Sequence, residues 1–590
     1  MVGPLYDFVA NPFGAVRLSF EQAVAASPAD DPVAVFAGKD WGALDLFRDF
    51  LLEKGGLSQV PILDASSRQW IQPNSLVRFR GMVQDMLGKE LYIGAFQDGS
   101  NWRTNKYSDG ALFPMPAGCQ SAYESNLWER LLLHCVPVPG HNSWATHSTP
   151  PQVFRNVMDN SMYEHGEKRQ RDEGIVENNE HGGSPSSKKQ KEGEHPCQLN
   201  HSSQRSLVQG GFSEPRNGAA LSCVIKMYDT PECDLKLNDV FEFIAIYTFD
   251  PELVAYKEDA DDLTDDLLDD PLMHLPPSKV PRLHCLICRK LAIQDFVSSP
   301  LSVELPNMIK GIRGSLLRHL TQVLGNDGLA AECLLLHLLS RLRARVDAVS
   351  VGKLSLNLTG FNGETASIFG NRITSAIQSL LPFSQYIPLT VDYLNTATLQ
   401  PKKNNQTGRL IPGVLQLAQG THLTIDESHL QPGNLDSNGV HNARLLKKLI
   451  EQLSVEYDFE FYTSEMTADV QLLILSDGKS NIMPADLVLP FCPNAVNSIA
   501  NPSPEELQSW RWYLDTLRSL PYSSQPDLHQ MLQDELVAAM REDRSLGCQQ
   551  LNRWLTMARL ISVSFGDGEL SLEHWQMFKE IERLRKERIK

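Results

Sequence analysis

Residues 359–367 read Thr-Gly-Phe-Asn-Gly-Glu-Thr-Ala-Ser, after the apolar run at 354–358 and before a helical pattern. A glycine-bearing turn between a strand and a helix is the setting of a phosphate-binding loop. There, backbone N–H groups ring the phosphates, a lysine neutralises them and a hydroxyl holds Mg²⁺. Gly360 and Gly363 would be the glycines and Ser367 the hydroxyl. Ala366 stands at the lysine's place, and Glu364 adds a negative charge. Losing that cation removes on the order of several kcal/mol of transition-state stabilisation, and a plain strand-to-helix turn accounts for the same residues. Gly352-Lys353 lies before the strand, at the wrong end. Asp426-Glu427 follows the run at 422–425, like the acid pair that holds Mg²⁺ and orients water in nucleoside-triphosphate hydrolases; a turn or helix cap explains it equally. His284, Cys285 and Cys288, with Cys223 and Cys233 as possible additions, are metal-type ligands. One Cys-x-x-Cys without a second pair reads as buried free thiols, so no metal is assigned. Arg78 and Arg80 around Phe79 fit a stacking groove for single-stranded DNA, or the plain alternation of a half-buried strand. Sequence signatures of zinc peptidases, serine hydrolases and dinucleotide-binding folds are absent, so no catalytic residue and no cofactor is assigned.

These residues need elements to position them. Residues 41–52 put Leu44, Phe47, Phe50 and Leu51 on one helical face. From 76 the period becomes two, and Gly88-Lys89 signals a hairpin between 76–86 and 90–96. Further strand patterns occupy 130–140, 222–228 and 240–249. Residues 156–217 are rich in Glu, Asn, Gly, Ser and Lys and read as a disordered insert within this β-domain. Residues 258–270 hold eight acids in thirteen positions, read as a solvated acidic linker or as a partner-docking segment. Helical patterns at 312–324 and 329–346 precede apolar runs at 354–358, 387–391, 422–425, 470–475 and 486–490. Helices separating such runs, notably 438–454, predict a mostly parallel sheet. Ser355 and Asn357 suggest that the 354–358 strand is exposed on one side. Ser503-Pro504-Glu505-Glu506 is a capping box with Pro at the first helical position, and three more helices follow near 526–541, 547–562 and 571–588. Trp554 and Leu555 read as core.

The expected architecture is therefore multidomain α/β plus β. Residues 1–75 form a mixed helical region, 76–256 a β-domain interrupted by 156–217, 257–280 an acidic linker, 281–500 an α/β domain and 501–590 a helical domain. The chain has 590 residues, 42% hydrophobic and 21% charged, which excludes collagen-like, wholly disordered and coiled-coil classes. Net charge is 54 − 72 = −18, which argues against broad electrostatic wrapping of DNA. No run of 18 apolar residues predicts a membrane span, and the N-terminus is not expected to be a secretory signal. Ten sparse cysteines suit a reducing compartment. Lys168-Arg169 and Lys188, Lys189 and Lys191, across an 18-residue spacer, suit a bipartite nuclear import signal read by an import receptor. Ser184-Pro185 beside it suits proline-directed phosphorylation.

Five stretches, NPFGAV (11–16), SLVRFRGMVQDM (75–86), LLHCVPVPGHNSW (132–144), LSLNLTGF (354–361) and VLQLAQGTHLTIDES (414–428), carry a resemblance to the mini-chromosome maintenance (MCM) complex-binding protein family, more so to its plant members. The resemblance covers all but about 156–217 and 257–280. It implies a nuclear protein that binds subunits of the hexameric MCM helicase, contacts chromatin indirectly, and promotes helicase release during or after S phase. In plants it implies a role in sister-chromatid cohesion. The family resembles, remotely, the subunits it binds, which implies an OB-like β-domain, a degenerate AAA+ core at about 300–490 and a helical lid at 503–590. By that alignment an arginine of the helicase falls on Pro484 and the lid arginine on Gln549, while Asp426 and Glu427 survive. The expectation is a non-enzymatic adaptor. The alternatives are a chaperone of newly made MCM subunits, a weakly active ATPase, or a single-stranded DNA-binding module.

Overall fold

The computed structural model describes residues 7–27, 40–98, 101–109, 127–147, 221–230, 234–249, 280–297, 305–346, 349–480, 482–494, 496, 500–521, 526–542 and 547–589. The chain divides into two units, 1–151 with 212–590, and 152–211. The insert at 156–217 with its basic clusters and Ser184, the acidic run at 258–270 and Cys233 lie outside the described residues.

Helix α1 (Pro12–Ala26) starts at Asn11, whose side chain accepts from the Gly14 N–H. Helix α2 (Ala43–Arg48) continues into one wide turn at Asp49–Glu53. Phe47 and Leu51 are buried on the expected face, and Phe50 stacks on Phe8 at 4.9 Å. Strand β1 (Leu76–Ile93) then runs without the expected hairpin. Gly88 adopts φ 90°, but as an irregularity within one long strand, where the register shifts between Met86 and Gly88. The first part of β1, to Met82, pairs with one neighbour, and the part from Met82 onward pairs with another. That change of partner bends the strand and closes a barrel.

After the short hairpin β2 (Ala95–Asp98) and β3 (Asn101–Thr104) come β4 (Leu127–Val136), β5 (Cys223–Met227), β6 (Val240–Thr248) and β7 (Arg282–Lys290). The closed order is β1-β4-β5-β7-β6. Inward residues such as Val77, Phe79, Leu133, Ile225, Phe243 and Leu283 fill it. The boundary expected at 281 therefore falls inside the barrel, because β7 pairs with β5 and β6 and closes it. Its apolar pattern alone could not say which sheet it joins.

Helix α3 (Leu305–Val323) is followed by α4 (Gly328–Leu339), capped by Asp327. The pattern predicted helix to Val346. It stops at Leu339, where the Ser340 hydroxyl donates to the His337 carbonyl and the backbone turns extended. Strands β8 (Ala344–Val346) and β9 (Val349–Val351) pair there. Next come β10 (Leu356–Thr359), α5 (Gly363–Leu380), β11 (Ser384–Pro388), α6 (Val391–Thr396), β12 (Lys402–Asn404), β13 (Arg409–Ile411), β14 (His422–Asp426), α7 (Ser437–Gln452), β15 (Ser454–Asp458), β16 (Thr463–Thr467), β17 (Gln471–Ser476) and β18 (Leu487–Pro490). A parallel sheet has the order β11-β14-β17-β10-β18, and a smaller sheet the order β13-β12-β15-β16. Both faces of the parallel sheet are covered. Leu473 and Leu475 of β17 face one core and Leu472 and Ile474 the other. Strand β10 is interior, so Ser355 and Asn357 are buried rather than exposed. They are tolerated because the Ser355 hydroxyl bonds Asp486 at 2.7 Å and Asn357 Oδ1 accepts from Ser476 Oγ at 2.7 Å.

The C-terminal segment is helical as predicted: α8 (Pro504–Ser519) with its capping box, then α9 (Pro526–Glu542), α10 (Cys548–Ser564) and α11 (Leu572–Ile589). Trp554 packs half-buried on the core. Leu555 does not, because Thr556, Met557 and Ala558 take the inner face of α10 and leave it outside.

Candidate functional site

In a doubly wound sheet the ligand crevice opens at the carboxyl ends of two neighbouring strands whose following connections leave in opposite directions. Here those strands are β10, whose chain crosses to β11 at one edge of the sheet, and β17, whose chain crosses over β10 to β18 at the other edge. The crevice therefore lies at Gly360–Asn362 and Ser476–Asp477, where the sequence placed a possible phosphate loop. The chain fills it. Gly360 N–H donates to the Asp477 carbonyl at 2.8 Å and Phe361 N–H to the Ser476 carbonyl at 3.0 Å. Those amides are engaged by backbone and are not aimed at an anion. Phe361 is fully buried and stacks on Phe491 at 4.9 Å, while Phe369 meets Phe491 edge-on at 5.2 Å. Only three residues separate β10 from α5. Gly360 (φ 95°) makes the turn, against the Phe491 carbonyl. Ala366 lies in the first turns of α5 and is buried in the core, and Ser367 is exposed beyond it.

The acid pair sits two strands from β10, with β17 between. Asp426 Oδ2 accepts from the Tyr386 hydroxyl at 2.5 Å and Oδ1 from Ser428 N–H at 2.9 Å. Glu427 Oε1 accepts from Ser480 Oγ at 2.8 Å. Burial, with the Asp426 charge added, pushes the Glu427 carboxyl up, so it favours the protonated form more than a free glutamate does. A Cβ on Gly370 would sit 4.0 Å from Asp426 Oδ2, which places the acid beside α5 at that residue. Pro484 is exposed in the loop before β18, and Gln549 in the first turn of α10; neither is a cation. These residues do not fit a magnesium nucleotide.

The other candidates are absorbed by structure. Phe79 points into the barrel. Arg78 and Arg80 both bond Glu242 Oε1, at 2.8 and 2.9 Å, and Glu242 is fully buried. The alternation reading of this strand is the one observed. His284 takes the Tyr228 hydroxyl on Nδ1 at 2.7 Å and gives Nε2–H to Asp109 at 3.2 Å, away from the thiols. Cys135 and Cys223 face each other across β4 and β5, and burial pushes both thiols up. Among the described residues no three His, Cys, Asp or Glu side chains gather as metal ligands.

The sequence reading missed a buried polar joint between barrel and α/β core. Asp85 Oδ2 accepts from Arg409 Nε at 2.8 Å and Leu410 N–H at 3.0 Å. Gln84 Nε2 donates to the Leu410 carbonyl at 2.6 Å, and Gln416 Nε2 to the Gln84 carbonyl at 2.9 Å. Nearby, Asn142 Nδ2 donates to the Leu381 carbonyl at 2.7 Å and Trp144 Nε1 to the Gln378 carbonyl at 2.9 Å. Three of the five stretches that carry the resemblance thus supply the joint. Polar residues inside apolar alternation, Gln84 and Asp85 above all, were the available signal.

Residues 47–589 match the family described as mini-chromosome maintenance replisome factor. A protein of Arabidopsis thaliana is 52% identical across the whole of both chains. A chicken protein is 31% identical, over 99% of this chain and 98% of the relative, and a human one 30% identical over the same shares. Each of the three is named mini-chromosome maintenance complex-binding protein. With a match across nearly the whole chain, and kinship at both plant and vertebrate distance, the protein belongs to the mini-chromosome maintenance replisome factor family.

Proposed function

We propose that this protein is a non-enzymatic adaptor that binds subunits of the MCM helicase. The observation that carries the non-enzymatic part is the buried Phe361 stacked on Phe491 at the crevice, with the Gly360 and Phe361 amides engaged by the Asp477 and Ser476 carbonyls. The relatives' names support the partner. On this reading the closed five-stranded barrel is an OB-like module, the parallel sheet a degenerate AAA+-like core and 501–590 its lid. A subunit-shaped protein occupies a place beside true subunits; because ring contacts are heterologous, it competes with a neighbour and opens the ring. Release of the helicase from chromatin during or after S phase, support of DNA replication and sister-chromatid cohesion, and nuclear location through the clusters at 168–169 and 188–191 belong to the same proposal.

Purified protein mixed with single subunits and with assembled hexamer tests it. Co-elution with one or more subunits but not with the intact ring supports the reading, and failure to bind any subunit refutes it. Phosphate release above the buffer blank, lost on Glu427→Gln, would refute the non-enzymatic part.

A further inference from the structure

Helices α9, α10 and α11 enclose a groove of about 340 Å³ with Leu536, Trp554 and Phe578 on its floor and Lys579, Arg583 and Lys586 on its rim. The same helices expose Val537 (39%), Met540 (41%) and Leu555 (39%). Trp554 Nε1–H is buried and has no acceptor among the described residues, whereas Trp575 Nε1–H in the same wall donates to Glu535 at 2.6 Å. The two carboxylates of the lining are already engaged, Glu535 by Lys579 and Glu582 by Arg553 and Arg585. Among the described residues Arg583 pairs only along the outer face of its own helix, with Glu580 and Glu587, contacts worth little in water. Lys586 makes no ion pair among the described residues, and its ammonium lies 5.6 Å from the Trp554 ring. A positive rim around an apolar floor, on a chain of net charge −18, selects for acidic partners.

We propose that this groove binds an acidic, leucine-bearing helix of a partner protein. The leucines fill the floor as helix-in-groove anchors. Carboxylates meet Lys579, Arg583 and Lys586. The inference stands apart from helicase binding.

The test uses the full-length protein and a fluorescein-labelled helical peptide. The peptide has leucines at i, i+3, i+4 and i+7 and Asp or Glu elsewhere, and binding is read by anisotropy. Binding weakens about tenfold when Lys579→Glu and Lys586→Glu are combined, and it falls with added salt. A peptide with Asn and Gln in place of the acids binds about tenfold more weakly. Absence of binding, equal binding by the reversed protein, or equal binding of the uncharged peptide overturns the proposal. Deleting 258–272 is the remaining arm. Unchanged affinity supports a partner helix, whereas a several-fold gain shows that the chain's own acidic segment is the occupant and overturns the assignment to a partner. Helicase-subunit capture by the reversed variant is scored separately, so the two readings fail separately.

Discussion

Replacing Asp85 by alanine should loosen the barrel from the α/β core. The carboxylate is 3% exposed and its partner Arg409 10%. Oδ2 accepts two hydrogen bonds, from Arg409 Nε and Leu410 N–H. A hydrogen bond to a charged group contributes roughly 1.5–3 kcal/mol. Removing one partner of a buried ion pair costs about 3–5 kcal/mol, because the other charge stays buried. These figures describe overlapping contacts, so about 4 kcal/mol is the expected loss and not their sum. It falls on the joint, so the assay must see the joint. Hydrogen exchange at 84–86 and 409–411 should rise in Asp85→Ala before exchange in the barrel core does. Urea unfolding should split into two transitions, as expected once coupling between parts weakens. Asp85→Leu combined with Arg409→Met removes both charges and should recover much of the loss, since an apolar pair of similar size often replaces a buried ion pair without penalty. If Asp85→Ala lies within about 1 kcal/mol of wild type, or the double replacement is as unstable as the single one, the joint does not hold the two parts together as argued.

Three further outcomes follow from the same geometry. His337 gives Nδ1–H to the Leu354 carbonyl and accepts from His422 Nε2–H at 3.0 Å, and burial lowers His337 to about 4 and also lowers His422. The unfolded chain then binds more protons below pH 6.5. His337 therefore leaves stability intact above pH 6.5 and costs about 1.4 kcal/mol per pH unit down to about pH 4, roughly 3 kcal/mol in all; urea midpoints from pH 7.5 to 5 read this, and His337→Gln should flatten the slope by about one proton. Asp515, raised to about 6 by burial, acts with the opposite sign between pH 6 and 3.8 and trims the slope. Phe361→Ala should lose about 3–5 kcal/mol as a core truncation and gain no ATP binding by equilibrium dialysis. Glu427→Gln should melt at or above the wild-type temperature, since an amide avoids both the burial of charge and the repulsion from Asp426; a fall of several degrees would show that the ionised carboxylate stabilises the fold.

How far the sequence could be read depended on whether a signal was local. The parallel strands and the capping box at Ser503 announce themselves within a few residues, and both were legible. The joint was not, because Gln84 and Gln416 meet across 332 residues of chain and nothing near either one names its partner. Gly88 misled for another reason. A glycine at positive φ serves a tight turn and a bulge equally, and only the pairing of β1 with two neighbours decides between them. The turn at 360–363 is more instructive. Its glycines drew attention to phosphate, yet the first of the two residues between them is phenylalanine. A phosphate cradle needs backbone N–H groups that no carbonyl has engaged, and space beside them. Phe361 brings an apolar ring that must be buried somewhere, and burying it on Phe491 draws the turn onto the end of β17, where the Asp477 and Ser476 carbonyls take the Gly360 and Phe361 amides. The loss of a lysine at Ala366 is therefore secondary. Ala366→Lys alone would put an ammonium into a packed apolar core, so the expected result is a destabilised protein and no recovered nucleotide affinity.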